Sequence, residues 1–184
     1  MALIAHWPLN GNTNDISGNG LHGTPVNINY TAGKIGQAPV FDGTTSPYIS
    51  LPNTVFNGLN DFSFAFWTYC LGFGDRFILS VENTDQANYI LIQPSPSAMI
   101  IYLAANYYVV NISSSVNTWY HWTIVRKGGL LLVYKDGTLQ GSTACITSPL
   151  TSNGGIVIGQ EQDGILSGFS AAQSWYGYLN DYRL

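Results

Sequence analysis

Glu161 and Asp163 stand two residues apart, with Gln162 between them and Gln173 ten residues beyond Asp163. They follow the apolar run Ile156-Val-Ile158 and Gly159, a pattern that predicts a buried strand ending at a turn. Carboxylates and amides at the end of a rigid strand are hard oxygen donors, and such donors suit Ca2+, which takes six to eight oxygens. A polar turn at a strand end would carry the same residue types. Both readings stay open on the motif alone.

Three other groupings have chemistry to offer. Asp15, Asn19 and His22 lie in the turn-rich stretch Asn10 to Gly23, a second place for a cation. The competing reading is a set of Asx and ST turns around Gly18 and Gly20, and it is the one we favour. His6, His22 and His121 have no nucleophile motif beside them, and His121, between Tyr120 and Trp122, reads as a packed strand residue. Tyrosines are abundant, and Tyr30, Tyr48, Tyr69, Tyr102, Tyr107, Tyr108 and Trp175 cannot all be core. Asn106-Tyr-Tyr108 and Ser170 to Trp175 are the loops expected to bind a ligand, through Tyr107, Tyr108 and Trp175. An exposed ring beside amides and carboxylates suits a sugar, and the same mixture suits a protein partner.

The elements that must position these groups are strands. Phe62-Ser-Phe-Ala-Phe-Trp-Thr-Tyr69 alternates, so Phe62, Phe64 and Phe66 share a core face. Trp119 to Val125 is a second long aromatic strand. Gly129 to Tyr134 and Thr138 to Ser142 form a hairpin across Asp136-Gly137. Shorter strands are expected at Ile4–Leu9, Val26–Tyr30, Gly36–Phe41, Tyr48–Leu51, Phe77–Val81, Tyr89–Gln93, Met99–Leu103, Tyr107–Ile112 and Tyr176–Leu184. No stretch has a helical period. The pattern predicts an all-β fold, a sandwich or barrel.

Composition narrows the class. The 184 residues form one expected domain, 1–184. Charged residues are 9% and the formal net charge is −4, with no basic cluster, which argues against nucleic acid as a partner. No apolar run reaches membrane-spanning length, so membrane insertion is not expected, and Met1-Ala-Leu-Ile is not a signal peptide. Cys70 and Cys145 lack zinc spacing and read as two thiols or one disulfide. The last residue lies inside an apparent strand, as in a module excised from a longer protein.

An ordered set of motifs resembles a known family. Trp7-x-Leu9, Asp15-x-Ser-Gly-Asn-Gly-x-His-Gly23, Phe41-Asp-Gly43, Phe62-Ser-Phe-x-Phe-Trp67, Trp119-Tyr-His-Trp122, Tyr134-x-Asp-Gly137 and Tyr176-Gly-x-Leu-Asn-Asp-Tyr-Arg183 are similar to the laminin-G-like, concanavalin A-like jelly roll. The resemblance implies a two-sheet antiparallel β-sandwich with ligand sites on loops or on the concave face. Ile156 to Asp163 is similar to the calcium segment of pentraxins. That likeness implies Glu161, the Gln162 carbonyl, Asp163 and Gln173 as Ca2+ ligands, with Asn88 supplied from before another strand. Ser170 and Ala87 stand where the family carries acids. With two carboxylates missing, one weakly held ion is the most this set implies.

Glucanases of the same superfamily resemble one another in Glu-x-Asp-x-x-Glu. Here Leu166 occupies the last position, and the other Glu, Glu82, is distant in sequence. The expectation is a non-catalytic binding module, lectin-like and carbohydrate-binding, in a larger extracellular, cell-surface or secreted protein. The runner-up is a structural or adhesion domain of a virion, such as a tail or head fibre, that binds protein or a host surface. A degenerate glycoside hydrolase comes last.

Overall fold

The computed structural model describes residues 2–84, 90–104 and 106–184. Among the described residues fifteen strands run in order: β1 (His6–Trp7), β2 (Thr24–Val26), β3 (Asn29–Ala32), β4 (Gln37–Asp42), β5 (Tyr48–Leu51), β6 (Phe62–Cys70), β7 (Leu79–Glu82) and β8 (Ile90–Pro94), then the remaining seven. These are β9 (Ala98–Leu103), β10 (Asn106–Asn111), β11 (Trp119–Lys127), β12 (Leu130–Lys135), β13 (Thr138–Ala144), β14 (Gly155–Ile158) and β15 (Tyr176–Arg183). They form two antiparallel sheets. One is 8-stranded, ordered β13-β12-β11-β6-β15-β4-β3, with β1 paired to β15; the other is 7-stranded, ordered β10-β9-β8-β7-β14-β5-β2. Among the described residues no helix is long and apolar enough to cross a membrane.

The two-residue period builds the core. Along β6, Phe62, Phe64 and Phe66 turn inward while Ser63, Ala65 and Trp67 turn out. Phe64 meets Phe56 edge-on at 5.9 Å and Tyr182 at 5.4 Å. Such edge-to-face rings add about 0.5–1.5 kcal/mol beyond their buried area. The buried indoles of Trp7 and Trp122 donate to the Leu21 carbonyl (2.6 Å) and Thr68 Oγ1 (2.9 Å). Asp136 and Gly137 both take positive φ (50° and 79°), the twist a two-residue hairpin needs between β12 and β13.

The expected single strand Val26–Tyr30 is two strands in different sheets. β2 pairs with β5, and β3 pairs with β4. Asn27, at φ 51°, turns the chain from one layer to the other, a conformation Asn tolerates better than most residues. The outer strand β2 carries Pro25 opposite Ile49. Strand β7 starts at Leu79 rather than Phe77, and Phe77 instead makes an isolated parallel bridge with Ser174. The cysteines are both free thiols, Cys70 buried and Cys145 partly so.

Candidate functional site: an acidic cleft on the seven-stranded sheet

The site begins where β14 stops. Ile156 and Ile158 join the hydrophobic core, and Gly159 breaks the strand at φ +88°. Its amide donates to the Ile78 carbonyl and its carbonyl accepts from the Trp175 amide (2.9 Å). Any side chain at 159 would overlap the ring of Phe41.

Beyond Gly159 two glutamine amides pin the segment. Gln160 Nε2 donates to the carbonyls of Thr44 (2.8 Å) and Pro47 (3.0 Å), and its Oε1 accepts from Ser174 Oγ. Gln162 Nε2 donates to the carbonyls of Gly155 (2.9 Å) and Ser80 (3.2 Å), and its Oε1 accepts from the Leu166 amide (2.8 Å). With those side chains held under the loop, Glu161 and Asp163 line the cleft beside it. Gln173 reaches the same cleft because the Ser170 carbonyl accepts from the amides of Gln173 and Ser174, and the Gln173 carbonyl accepts from Phe77.

The cleft is about 390 Å³. Glu161, Gln162, Asp163 and Gln173 come from the loop after β14, and Glu82 comes from β7, the strand paired with β14. Asp75 and Phe77 come from the approach to β7, Leu91 from β8 and Tyr102 from β9. Asp75 is held by Gln93 Nε2 at 3.0 Å. Register places Leu91 opposite Tyr102 and Tyr102 opposite Tyr107, so these three side chains form one row. The Tyr102 and Tyr107 rings are 5.0 Å apart.

Glu161 is 7% exposed, and its Oε2 has no hydrogen-bond partner among the described residues. Burial, and then the like charges of Asp163, Glu82 and Asp75, push its carboxyl up to about 7. Asp163, Glu82 and Asp75 line the same cleft, and among the described lining residues there is no lysine, arginine or histidine.

The sequence-derived candidates separate into three groups. Glu161, Gln162, Asp163 and Gln173 line one cleft, and the Gln162 side chain is a structural clamp. Asn88 lies outside the described residues. The three aromatics part company. Tyr107 is exposed on β10, in line with the cleft. Tyr108 faces the other way: its ring packs on the core and its hydroxyl accepts from the Ile146 amide at 3.1 Å. Trp175 needs correction. It is 1% exposed, drawn inward between the Gly159 carbonyl and the Gly43 amide, so its ring is not available to a ligand.

The first-turn candidate is also resolved. Asp15 accepts four hydrogen bonds, from the amides of His6, Ser17 and Leu21 (each 2.9 Å) and from Ser17 Oγ (2.8 Å). Burial alone would raise its carboxyl, but these bonds hold it down to about 2. Asp15 thus organises the turn, and His22 Nδ1 accepts from the Asp15 amide. His121 packs against Trp67 at 5.0 Å, as its strand position predicts, and burial lowers its basicity.

Asp75, Phe77, Glu82, Leu91 and Tyr102 were not foreseen as cleft residues. Alternation in Leu79-Ser-Val-Glu82 already points Glu82 away from the core. Only the sheet order puts it beside β14. Among the described residues, no group of three or more His, Cys, Asp and Glu side chains stands close enough to hold a metal ion as arranged.

The profile of the concanavalin A-like lectin/glucanases superfamily matches residues 42–184. The chain belongs to this superfamily. It is 32% identical over 120 residues to the human neuronal pentraxin receptor, an alignment that takes in 61% of this chain and 23% of that protein. The chain therefore spans about a quarter of the length of the curated relatives it matches. In structure it is similar to domain 4 of AbnA, an extracellular arabinanase of Geobacillus stearothermophilus, solved with arabinotriose. The TM-score is 0.74 and the identity 21%, covering 98% of this chain and 90% of that one. It is also similar to a heptameric SAP-like pentraxin from Limulus polyphemus, with TM-score 0.63 and 22% identity over 86% of this chain and 74% of the other. The fold is the jelly roll these relatives share.

Proposed function

We propose that the module binds carbohydrate on the outer face of the seven-stranded sheet, as part of a larger secreted, cell-surface or virion protein. The observation that carries this reading is the cleft itself: a buried, unpartnered Glu161 oxygen, flanking carboxylates and amides, and an apolar wall continued by Tyr102 to exposed Tyr107. Concave sites with a few polar groups against aromatic surface are the usual form of small-ligand pockets, commonly about 300–1,000 Å³. The arabinotriose bound to domain 4 of AbnA, a protein of the same fold, supports a saccharide.

The same oxygens suit Ca2+. Glu161, the Gln162 carbonyl, Asp163 and Gln173 are the donors this chain would offer, with Asn88 as a further amide. Glu161 Oε2 lacks a partner that a cation would provide. Among the described residues no three acidic side chains group closely enough for a cation, so the ion would be held weakly, its bound form supplying a positive point to which sugar hydroxyls can bind.

Glycan-array binding of the purified chain, with and without chelator, tests both parts. Binding weakened by chelator supports the glycan site and the ion together. Binding indifferent to chelator keeps the glycan site and removes the ion. Attachment to a cell or particle surface with no glycan bound replaces this reading with an adhesion domain that recognises protein.

A further inference from the structure

The lining of the cleft is lopsided in charge. Asp75, Glu82, Glu161 and Asp163 contribute carboxylates, and among the described residues no lysine, arginine or histidine lines it. Coulomb repulsion excludes a uronate or sialate from such a place unless a cation intervenes. A neutral sugar is not repelled, but it must strip water from these carboxylates and offers only dipoles in return.

Glu161 sets the requirement. It is 7% exposed, lines the cleft, and has an oxygen without a hydrogen bond. Gln162 cannot satisfy it, because both ends of that amide are engaged by Ser80, Gly155 and Leu166. A ligand entering the cleft can supply the missing donor. A hydroxyl donates one hydrogen bond. An ammonium group donates three, each charge-assisted, and neutralises charge as well. Phe77, Leu91 and Tyr102 also line the cleft, and an aromatic face attracts a cation.

Resting on the glycan-binding reading above, we infer that this cleft recognises saccharides carrying free amino groups, of the glucosamine type. The ammonium is set at the unpartnered Glu161 oxygen with Asp163 beside it, and the sugar ring lies against Tyr102 and Phe77. A cleft of about 390 Å³ favours a ring-sized ligand over the slim stem of a lysine side chain. Calcium draws on the same carboxylates and therefore competes with the amine.

Calorimetric titration in chelator tests the inference, with a glucosamine tetramer, its N-acetylated counterpart, a cello-oligosaccharide and tetralysine as probes. The glucosamine tetramer is expected to bind at least about tenfold more tightly than the other three, the scale of one charge-assisted contact. Added calcium should weaken it. Glu161→Gln and Asp163→Asn should each cut its affinity about tenfold with unchanged circular dichroism. Equal binding of the acetylated or neutral oligomer overturns the amine inference while leaving the glycan site standing. Equal binding of tetralysine, or a requirement for calcium, overturns it as well. Failure of every saccharide to bind overturns the glycan reading itself.

Discussion

Gly159 sits against the ring of Phe41 with no room for even one carbon between them. The contact ties the end of β14 in one sheet to β4 in the other, and it fixes the point where the chain leaves the core for the cleft. Its φ of +88° is also one that residues with a Cβ rarely take. Gly159→Ala should destabilise the fold by about 2–4 kcal/mol, combining overpacking with backbone strain. Urea unfolding would show it as a lower midpoint with an unchanged slope.

Calcium should stabilise the wild-type chain if the proposed donors hold it. A ligand that binds only the folded state adds about 2.7 kcal/mol at a hundredfold excess over its Kd. Thermal unfolding in chelator and at millimolar calcium should therefore differ, and Asp163→Ala should abolish the difference. Identical curves for the wild type would make the Glu-Gln-Asp segment a structural turn.

Asp15 gives the fold an acid limit. Its carboxyl titrates near 3.8 in the unfolded chain and about 2 in the folded one, so the unfolded state takes up the proton first. The stability contributed by the charged form is complete above about pH 5 and is lost as the pH falls toward 2. Asp15→Ala should cost about 1–3 kcal/mol at neutral pH, since three backbone amides lose their acceptor, and should flatten the acid limb of the profile. Stability measured against pH for both proteins checks the slope.

Tyr107 and Trp175 should part in mutagenesis as they do in the structure. Tyr107→Ala removes an exposed ring and should leave stability within about 0.5 kcal/mol. Saccharide affinity should fall roughly fivefold, the equivalent of about 1 kcal/mol of aromatic contact. Trp175→Ala should instead cost about 3–5 kcal/mol of stability. Paired unfolding and glycan titrations separate the two effects.

The fold was largely legible because its strongest signals are local. The alternation of β6 and the Asp136-Gly137 turn are properties of a few consecutive residues, and the structure follows both. The switch at Asn27 was not legible, because a short polar stretch looks the same whether it crosses between sheets or continues along one. Glu161 and Asp163 could be grouped from their spacing, and Gln173 joined them through the resemblance to the pentraxin segment. Glu82, Leu91 and Tyr102 could not, since they join the cleft through the order β9-β8-β7-β14, which no short window of sequence records. Trp175 was misplaced because a tryptophan in a polar loop looks exposed until backbone bonds on either side draw it inward.

Pro25 lies on β2, the outermost strand of the seven-stranded sheet. Proline has no amide hydrogen, so that margin offers an incomplete ladder to any strand from a neighbouring molecule. Many copies of the module crowded on one surface, or strung along one polypeptide, would have little tendency to zip together there. Avid display of a weak binding site depends on that restraint: the copies must stay separate to engage separate ligands.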